Sequence, residues 1–274
     1  MNKFRDEQPN RKKKLLLITD MYPNKYNPVV GIFVKEHAQE LANYYQVHVI
    51  ATYFTHQWRR EHTKEEDIEV TRIFYPASST LFLTSLLIYP VIVLPIIRKK
   101  ANHWKPDLIQ VHDFRHIPEL FWLKTWLDRL SIPKYLYLHN IRTYPDRIKR
   151  KSSLFLYRKT LAKAFNNWNH IFTVNNRLKQ LIIPYIEENK ISVTGNGISP
   201  TAEIRKEELD FMEKLLFPVD IKIISVGNLR EAKGFDYLIL AVHKLILKGL
   251  NIQLVIVGDG TDRIRLMRLI QNLN

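Results

Sequence analysis

The chain has 274 residues, of which 46% are apolar and 25% charged, so it is globular rather than disordered and can form one large domain or two smaller ones. It contains no cysteine, which excludes a disulfide framework and a thiolate metal site and fits a reducing cytosol. Its formal net charge of +15 predicts an anionic partner: a nucleic acid, an anionic lipid or a phosphorylated small molecule.

The first predicted element is a buried strand at residues 14–20, with the sequence KLLLITD. The apolar run inside it, Leu15 to Ile18, is too short for the core of a signal peptide, so export by that route is not expected. A loop rich in proline and asparagine follows and ends at Gly31. Apolar residues at helical spacing over 34–45 then predict the first helix.

Strand and helix patterns continue to alternate up to residue 194. Apolar or alternating runs predict strands at 46–54, 69–75, 107–112, 134–139, 170–174 and 191–194, and the run at 69–75 alternates as a half-exposed strand does. Helical patterns predict helices at 117–130, 152–167 and 176–187. Strands alternating with helices at this spacing indicate an α/β fold with a doubly wound parallel sheet.

Leu81 to Ile97 form an apolar segment that is followed by three cations at 98–100. A spanning helix needs about 20 apolar residues, and Pro90 and Pro95 would break its backbone hydrogen bonding, so a membrane span is not expected. Two interpretations remain: a buried, kinked helix pair, or an interfacial segment with its cations towards anionic lipid. The basic flank favours the interface.

Basic residues cluster in two places. The first cluster is Arg11 to Lys14, and the second contains Arg142, Arg147, Lys149, Arg150, Lys151, Arg158, Lys159 and Lys163. A solvated helix face explains any single lysine, whereas a whole cluster indicates an anionic surface. No recognisable nucleic-acid-binding motif accompanies the charge, so lipid is favoured over nucleic acid as the partner.

The patterns divide the chain into three regions. The patterns predict a complete first α/β domain over residues 1–199 and a polar helical linker over residues 200–220. They predict part of a second α/β domain over residues 221–274. We expect only two strands in the last region, which leaves an apolar edge and face unpaired.

The last region contains two strand–turn–helix units. Apolar runs at 221–226 and 252–257 predict two buried parallel strands, which end at Gly227 and Gly258. Phosphates favour such units because amide N–H groups and the positive end of the helix converge above the strand tips. Lys233 adds a mobile cation at the first of these turns.

Several short segments point together to one known family. They are YPNKYNPVVGIFVKEHAQELA, PDLIQVHD, YLHN, KISVTGNGI, VGNLREAKGFDYLILA and LVIVGDG. In order and spacing they resemble the family 4 glycosyltransferases of the GT-B fold, the retaining, nucleotide-sugar-dependent class. Each motif alone is a weak signal, but the ordered set covers most of the chain and is fairly specific.

The resemblance implies roles for individual residues. Lys233 matches the family's phosphate-binding lysine, and His139 matches the histidine that hydrogen-bonds the sugar or phosphate of the donor. Gly31 would let the backbone approach the diphosphate or the acceptor, and an ordinary loop glycine is the alternative. Asn228 stands where the family often has a second cation, and Arg230 is the candidate that replaces that cation.

Four further residues are candidates for the site. Gly258 and Gly260 would lie near the nucleotide base or ribose. The dinucleotide fingerprint G-x-G-x-x-G is not completed, because Arg263 occupies the last position, which counts against a nicotinamide enzyme. His112 and Asp113 end a predicted strand, where they would either contact the acceptor or form a satisfied strand-end pair.

The implied reaction transfers a sugar from a nucleotide-sugar donor to a lipid-linked or polysaccharide acceptor, in the cytoplasm or at the inner face of the plasma membrane. The sequence has no D-x-D triplet, so we expect cations and amides, without a metal or other cofactor, to stabilise the leaving diphosphate. A nucleic acid partner is not expected. The family's acidic motif does not appear after Gly258, which predicts a truncated chain with impaired activity. The alternative is a non-catalytic acceptor-binding module that needs a partner chain to complete the donor site.

Overall fold

The computed structural model describes residues 11–76, 87–112, 117–139, 159–197 and 206–273. The chain divides into two compact units, Met1–Ser199 and Pro200–Asn274. Most of the second basic cluster lies outside the described residues, as does the first half of the helix predicted at 152–167. Residues 159–165 of that prediction are helical.

The first unit is built on an eight-stranded sheet. Its strands are β1 (Lys14–Thr19), β2 (Gln46–Thr55), β3 (Arg59–Glu65), β4 (Ile68–Pro76), β5 (Leu108–His112), β6 (Lys134–Leu138), β7 (His170–Thr173) and β8 (Ile191–Val193). Their order is β3-β4-β2-β1-β5-β6-β7-β8, and every neighbouring pair is parallel except β3 with β4. The predicted α/β fold with a doubly wound, mostly parallel sheet is confirmed.

Helices cover both faces of this sheet. Besides the helical residues 159–165, the described α-helices of the first unit are α1 (Ile32–Ala42), α2 (Leu94–Trp104), α3 (Ile117–Leu127) and α4 (Asn176–Ile182). Leu15 and Leu17 of β1 pack in the apolar cluster that includes α1, whereas Leu16 and Ile18 pack in the cluster that includes α2 and α3. Because fully burying such a side chain contributes about 1.5–3 kcal/mol, β1 anchors the centre of the fold.

The chain reverses its direction of sheet growth at β1, which has β2 on one side and β5 on the other. Open α/β sheets bind ligands beyond the carboxyl ends of the strands at such a point. The loop after β1, which ends at Gly31, and the end of β5 at His112 therefore lie where a site is expected.

The edge of the sheet differs from the sequence predictions. β3 has no counterpart among the predicted strands, and it pairs antiparallel with β4, with His62 opposite Thr71. The expectation of a half-exposed strand at 69–75 is wrong, because residues 70–75 are all buried. Alternate side chains of β4 enter the two apolar clusters: Val70 on the face of α1, and Ile73 and Tyr75 on the face of α2.

Residues 87–104 form one continuous helical run, in which π-helical residues Tyr89–Val93 precede α2. The expectation that Pro90 and Pro95 interrupt the helix is wrong for this part of the segment. Pro90 is the second residue of the π-helical stretch and Pro95 is the second residue of α2, and the π-type bond from the N–H of Leu94 to the carbonyl of Tyr89 carries the helix across this region. Residues 81–86 lie outside the described residues. No helix in the described part of the chain has both the length and the apolarity needed to cross a bilayer.

The second unit contains α5 (Lys206–Leu215), β9 (Ile221–Val226), α6 (Phe235–Leu247), β10 (Ile252–Val257) and α7 (Arg263–Gln271). β9 and β10 form a parallel two-stranded sheet. The apolar core of this unit is small, and large apolar side chains such as Val226, with 73% of its surface exposed, face solvent. An unpaired apolar face is what the sequence predicts for two strands.

Candidate functional site

Gly31 precedes α1 in a left-handed conformation, with φ of 65°. A Cβ atom at this position would lie 2.3 Å from the carbonyl oxygen of Met21 and 2.8 Å from the backbone nitrogen of Tyr22. Any other residue would therefore collide with the loop that follows β1. The chain's own backbone accounts for glycine here, and contact between Gly31 and a diphosphate or an acceptor stays a prediction.

A row of aromatic side chains crosses the sheet beside α1. His112, Tyr137 and Phe172 are paired in register on β5, β6 and β7. The rings of His112 and Tyr137 stack with centroids 4.5 Å apart, and those of Tyr137 and Phe172 with centroids 4.4 Å apart. Two residues of α1 cover this row: His37 packs on His112 at 4.9 Å and Phe33 packs on His139 at 4.3 Å. Helix α1, which Gly31 begins, thus contacts both predicted histidines.

The histidines are joined by a chain of hydrogen bonds. Gln110 Oε1 lies 3.3 Å from Nε2 of His37 and 3.3 Å from Nε2 of His112. His112 Nδ1 in turn lies 3.4 Å from Nε2 of His139. Since an amide oxygen only accepts, His112 donates through Nε2, and its Nδ1 accepts the Nε2–H of His139. The remaining lone pair of His139 is on Nδ1, a buried atom that has no hydrogen-bond partner among the described residues.

Burial keeps His112 and His139 uncharged near neutral pH. It lowers the pKa of His112 well below its usual range. Burial also lowers the pKa of His139 to about 4, and the nearby side chain of Asn196 opposes that shift. The cluster therefore offers neutral hydrogen-bonding groups rather than positive charge near neutral pH.

The structure brings Gly31, His112 and His139 together at the carboxyl end of the sheet. Asp113 lies outside the described residues. His112 is only 1% exposed and its ring nitrogens contact Gln110 and His139, so its side chain lies in the protein interior and not at the solvent-accessible surface. Gln110 is absent from the sequence candidates, although its position two residues before His112 places both side chains on one face of β5.

In the second unit, Asn228, Arg230 and Lys233 share the exposed turn between β9 and α6. The N–H of Arg230 donates to the carbonyl of Asn228, and the N–H of Lys233 donates to the carbonyl of Arg230, both at 2.9 Å. Among the described residues, no carboxylate lies within ion-pairing distance of Arg230 or Lys233, although the exposed Glu231 is part of the same turn. The turn therefore carries two cationic side chains on a backbone that is held by its own hydrogen bonds.

The two glycine turns of the second unit pack against each other. A Cβ at Gly258 would lie 1.9 Å from the carbonyl oxygen of Gly227, and a Cβ at Gly260 would lie 2.3 Å from that of Leu229. The N–H of Leu229 also donates to the carbonyl of Asp259 at 2.9 Å. Contact between the turns accounts for both glycines, and their approach to the base or ribose stays a prediction.

The acids beside these turns have local partners. Asp259 Oδ1 accepts from the N–H of Gly260 at 2.8 Å, and the carboxylate of Asp262 binds the guanidinium of Arg265 through two contacts of 2.7 Å. Within the described ranges, no three histidine or carboxylate side chains are grouped so that they could hold a metal ion.

Comparison with known proteins decides the family. The model of Glycosyltransferase Family 4 matches residues 30–202, which is more than half of the chain. The chain belongs to glycosyltransferase family 4. The model of glycosyl transferases group 1 matches residues 207–274 of this family 4 chain, so the two matches fall on the two compact units.

Related proteins agree with this assignment. The family 4 chain is 26% identical over 193 residues to an uncharacterized glycosyltransferase of Methanocaldococcus jannaschii, a match that covers 66% of the chain and 45% of the relative. The chain thus spans less than half the length of that relative.

Solved structures show the fold. The chain is similar to an E. coli protein in a solved structure described as "Trehalose-6-phosphate from E. coli bound with UDP-2-fluoro glucose". The TM-score is 0.60, the identity is 12%, and the match covers 95% of this chain and 68% of that one. Sucrose-phosphate synthase of Thermosynechococcus elongatus matches with a TM-score of 0.62 and 13% identity, over 96% and 68% of the two chains. The GT-B-like fold that the resemblance implies is confirmed.

Proposed function

We propose that this family 4 chain takes part in the transfer of a sugar from a nucleotide-sugar donor to a membrane-associated or polysaccharide acceptor, with retention of configuration. The observation that carries the proposal is the ordered match of 30–202 and 207–274 to two glycosyltransferase models. The UDP-2-fluoro glucose bound to the similar E. coli protein supports a nucleotide sugar as the donor class. The proposed location is the cytoplasm or the inner face of the plasma membrane.

The turn between β9 and α6 is proposed to bind the diphosphate of the donor. When the bond between the sugar and the diphosphate breaks, negative charge grows on the leaving group and must be stabilised. Lys233 and Arg230 supply positive charge without a carboxylate partner in the described residues. The positive end of the α6 dipole adds to this charge, while Asp236 in the first turn accepts the N–H of Tyr237. Each charge-assisted hydrogen bond would contribute about 1.5–3 kcal/mol. No divalent ion is needed in this proposal.

His139 is proposed to bind the donor sugar or phosphate by hydrogen bonding. It remains uncharged near neutral pH because burial lowers its pKa to about 4, so it would orient the donor rather than neutralise the diphosphate. His112 and Gln110 act through His139: their hydrogen bonds fix which of its nitrogens carries the proton. We regard His112 and Gln110 as positioning residues.

The second candidate function is that of a non-catalytic acceptor-binding module. The observation that favours it is the incomplete cover of the second unit, where Val226 and Ile224 of β9 are 73% and 58% exposed. Such a face suits a further protein segment or a partner chain that completes the donor site.

A turnover assay separates the two candidates. The 274-residue chain, and a version extended to a complete nucleotide-binding domain, are incubated with UDP-, GDP- or ADP-sugars and a membrane extract, and nucleoside diphosphate release is measured. We expect release by the extended version with one donor, reduced release by the shorter chain, and loss of release in His139→Ala. Acceptor binding without release by either version would favour the binding module. Release that is unchanged in His139→Ala would contradict the assigned role of His139.

A further inference from the structure

A groove lies between α2 and the edge strands β3 and β4, on the opposite face of the sheet from α1. Its volume is about 660 Å³. It is lined by Ile50, Arg60, His62, Thr71, Ile73, Pro95, Ile96, Lys99, Lys100 and His103. β3 is the edge strand of the sheet next to β4, and the groove lies where residues of these two strands face residues of α2. It is distinct from the histidine cluster under α1.

The lining of the groove is strongly basic. Arg60, Lys99 and Lys100 line it together with two histidines, and none of the lining residues is an acid. In the described part of the chain, none of these three cations forms an ion pair. Two acids of β3 and β4 flank these residues in sequence. Glu61 lies 2.8 Å from Arg59 and is paired with that cation. Glu69 lies 3.1 Å from His48, which burial keeps uncharged by lowering its pKa to about 3, so Glu69 keeps its negative charge, but it does not line the groove. The groove therefore presents uncompensated positive charge to an anionic ligand.

An exposed apolar stripe leads into this groove. Leu87 is 67% exposed, Val91 73% and Ile92 37%, although the opposite side of the same helical run is buried in the core. Pro95 and Lys99 continue the stripe one turn at a time, and both line the groove. Aliphatic side chains next to a row of cations are typical of a surface that lies in the headgroup region of a bilayer.

We propose that the first unit docks on an anionic membrane through this surface, with the phosphate of an anionic phospholipid in the groove and Leu87, Val91 and Ile92 among the headgroups. A soluble phosphate compound would fill the groove but leave the apolar stripe in water. A nucleic acid would likewise gain little from aliphatic side chains. The proposal deepens the membrane location proposed above and does not depend on sugar transfer, so lipid binding and turnover can fail independently.

Vesicle co-sedimentation tests the proposal with the full chain. Vesicles of pure phosphatidylcholine are compared with vesicles that also contain phosphatidylglycerol. We expect binding to the anionic vesicles only, and weaker binding in 0.5 M salt. The double variant Lys99→Glu/Lys100→Glu should bind at least about 30-fold more weakly, because the loss of each lysine near an anionic surface costs about fivefold and the added carboxylates are repelled. Leu87→Ser/Val91→Ser should weaken binding several-fold, because it removes the apolar contact.

Matched controls separate this groove from the general charge of the chain. Arg129→Glu/Arg177→Glu changes the net charge equally at two exposed positions outside the groove, and Val29→Ser replaces an apolar side chain that is 62% exposed elsewhere. Both controls should bind as the wild type does. The proposal is overturned if the groove variant binds as well as its control, if the wild type binds both vesicles alike, or if it prefers a single-stranded oligonucleotide to anionic vesicles. Circular dichroism checks that each variant is folded.

Discussion

The substitution Gly31→Ala should destabilise the first unit by about 2–5 kcal/mol. A non-glycine residue in the left-handed conformation costs about 1–2 kcal/mol. The added Cβ would also lie 2.3 Å from the Met21 carbonyl oxygen, and moving the loop out to a tolerable contact costs about 1–3 kcal/mol more. The sum is a large fraction of the 5–15 kcal/mol that stabilises a typical domain.

Urea unfolding followed by tryptophan fluorescence measures this loss in the first unit alone, because all five tryptophans lie within residues 1–199. Gly195→Ala is the matched control, since no atom lies within 4 Å of a Cβ at that position. The control should stay within about 0.5 kcal/mol of the wild type. An equal urea midpoint for Gly31→Ala and Gly195→Ala would refute the close packing of Gly31 on the loop after β1.

Three further outcomes are expected. The first unit should lose stability as the pH falls from about 6.5 towards 4, because buried His112 and His139 have lowered pKa values and the unfolded chain binds protons that the folded chain does not. The loss should be about 1.4 kcal/mol per pH unit for each histidine. A urea midpoint equal at pH 7.5 and 5.5 would contradict this. Asp128→Ala should cost about 2–4 kcal/mol, because the buried ammonium of Lys124 loses its partner, and Lys124→Met/Asp128→Ala should recover part of that loss in the same assay. Sugar-nucleotide turnover should be unchanged by EDTA, and a loss that Mg²⁺ restores would show that a divalent ion is required.

The central strands could be predicted from sequence because their burial on both faces demands continuous apolar runs, as in Leu15 to Ile18. The edge strand β3 could not, because its sequence RREHTKE is polar and only its pairing with β4 holds it in place. The prediction that Pro90 and Pro95 interrupt the 87–104 helix was wrong for a related reason. The helix continues through Pro90 and Pro95 because π-helical residues lie between its two α-helical parts, and no local sequence pattern reveals that π-turn.

The candidate site was predictable only in part. His139 and His112 stand at strand ends in recognisable motifs, but the hydrogen bonds that link them to Gln110 and His37 depend on which strands and helices become neighbours. For the glycines, the sequence shows the positions but not the reason for them. Gly31, Gly258 and Gly260 are conspicuous in the sequence, yet each one is required by contact with the chain's own backbone.

Isothermal titration of UDP, GDP and ADP into the chain tests the proposed diphosphate site most directly. Wild type, Lys233→Ala and the control Lys248→Ala, which removes an exposed lysine from the far end of α6, are compared. We predict that one nucleoside diphosphate binds the wild type and the control equally, and that Lys233→Ala weakens its affinity roughly 10- to 100-fold. Equal affinity of Lys233→Ala and wild type, or no binding of any of the three nucleotides to the wild type, would contradict the account.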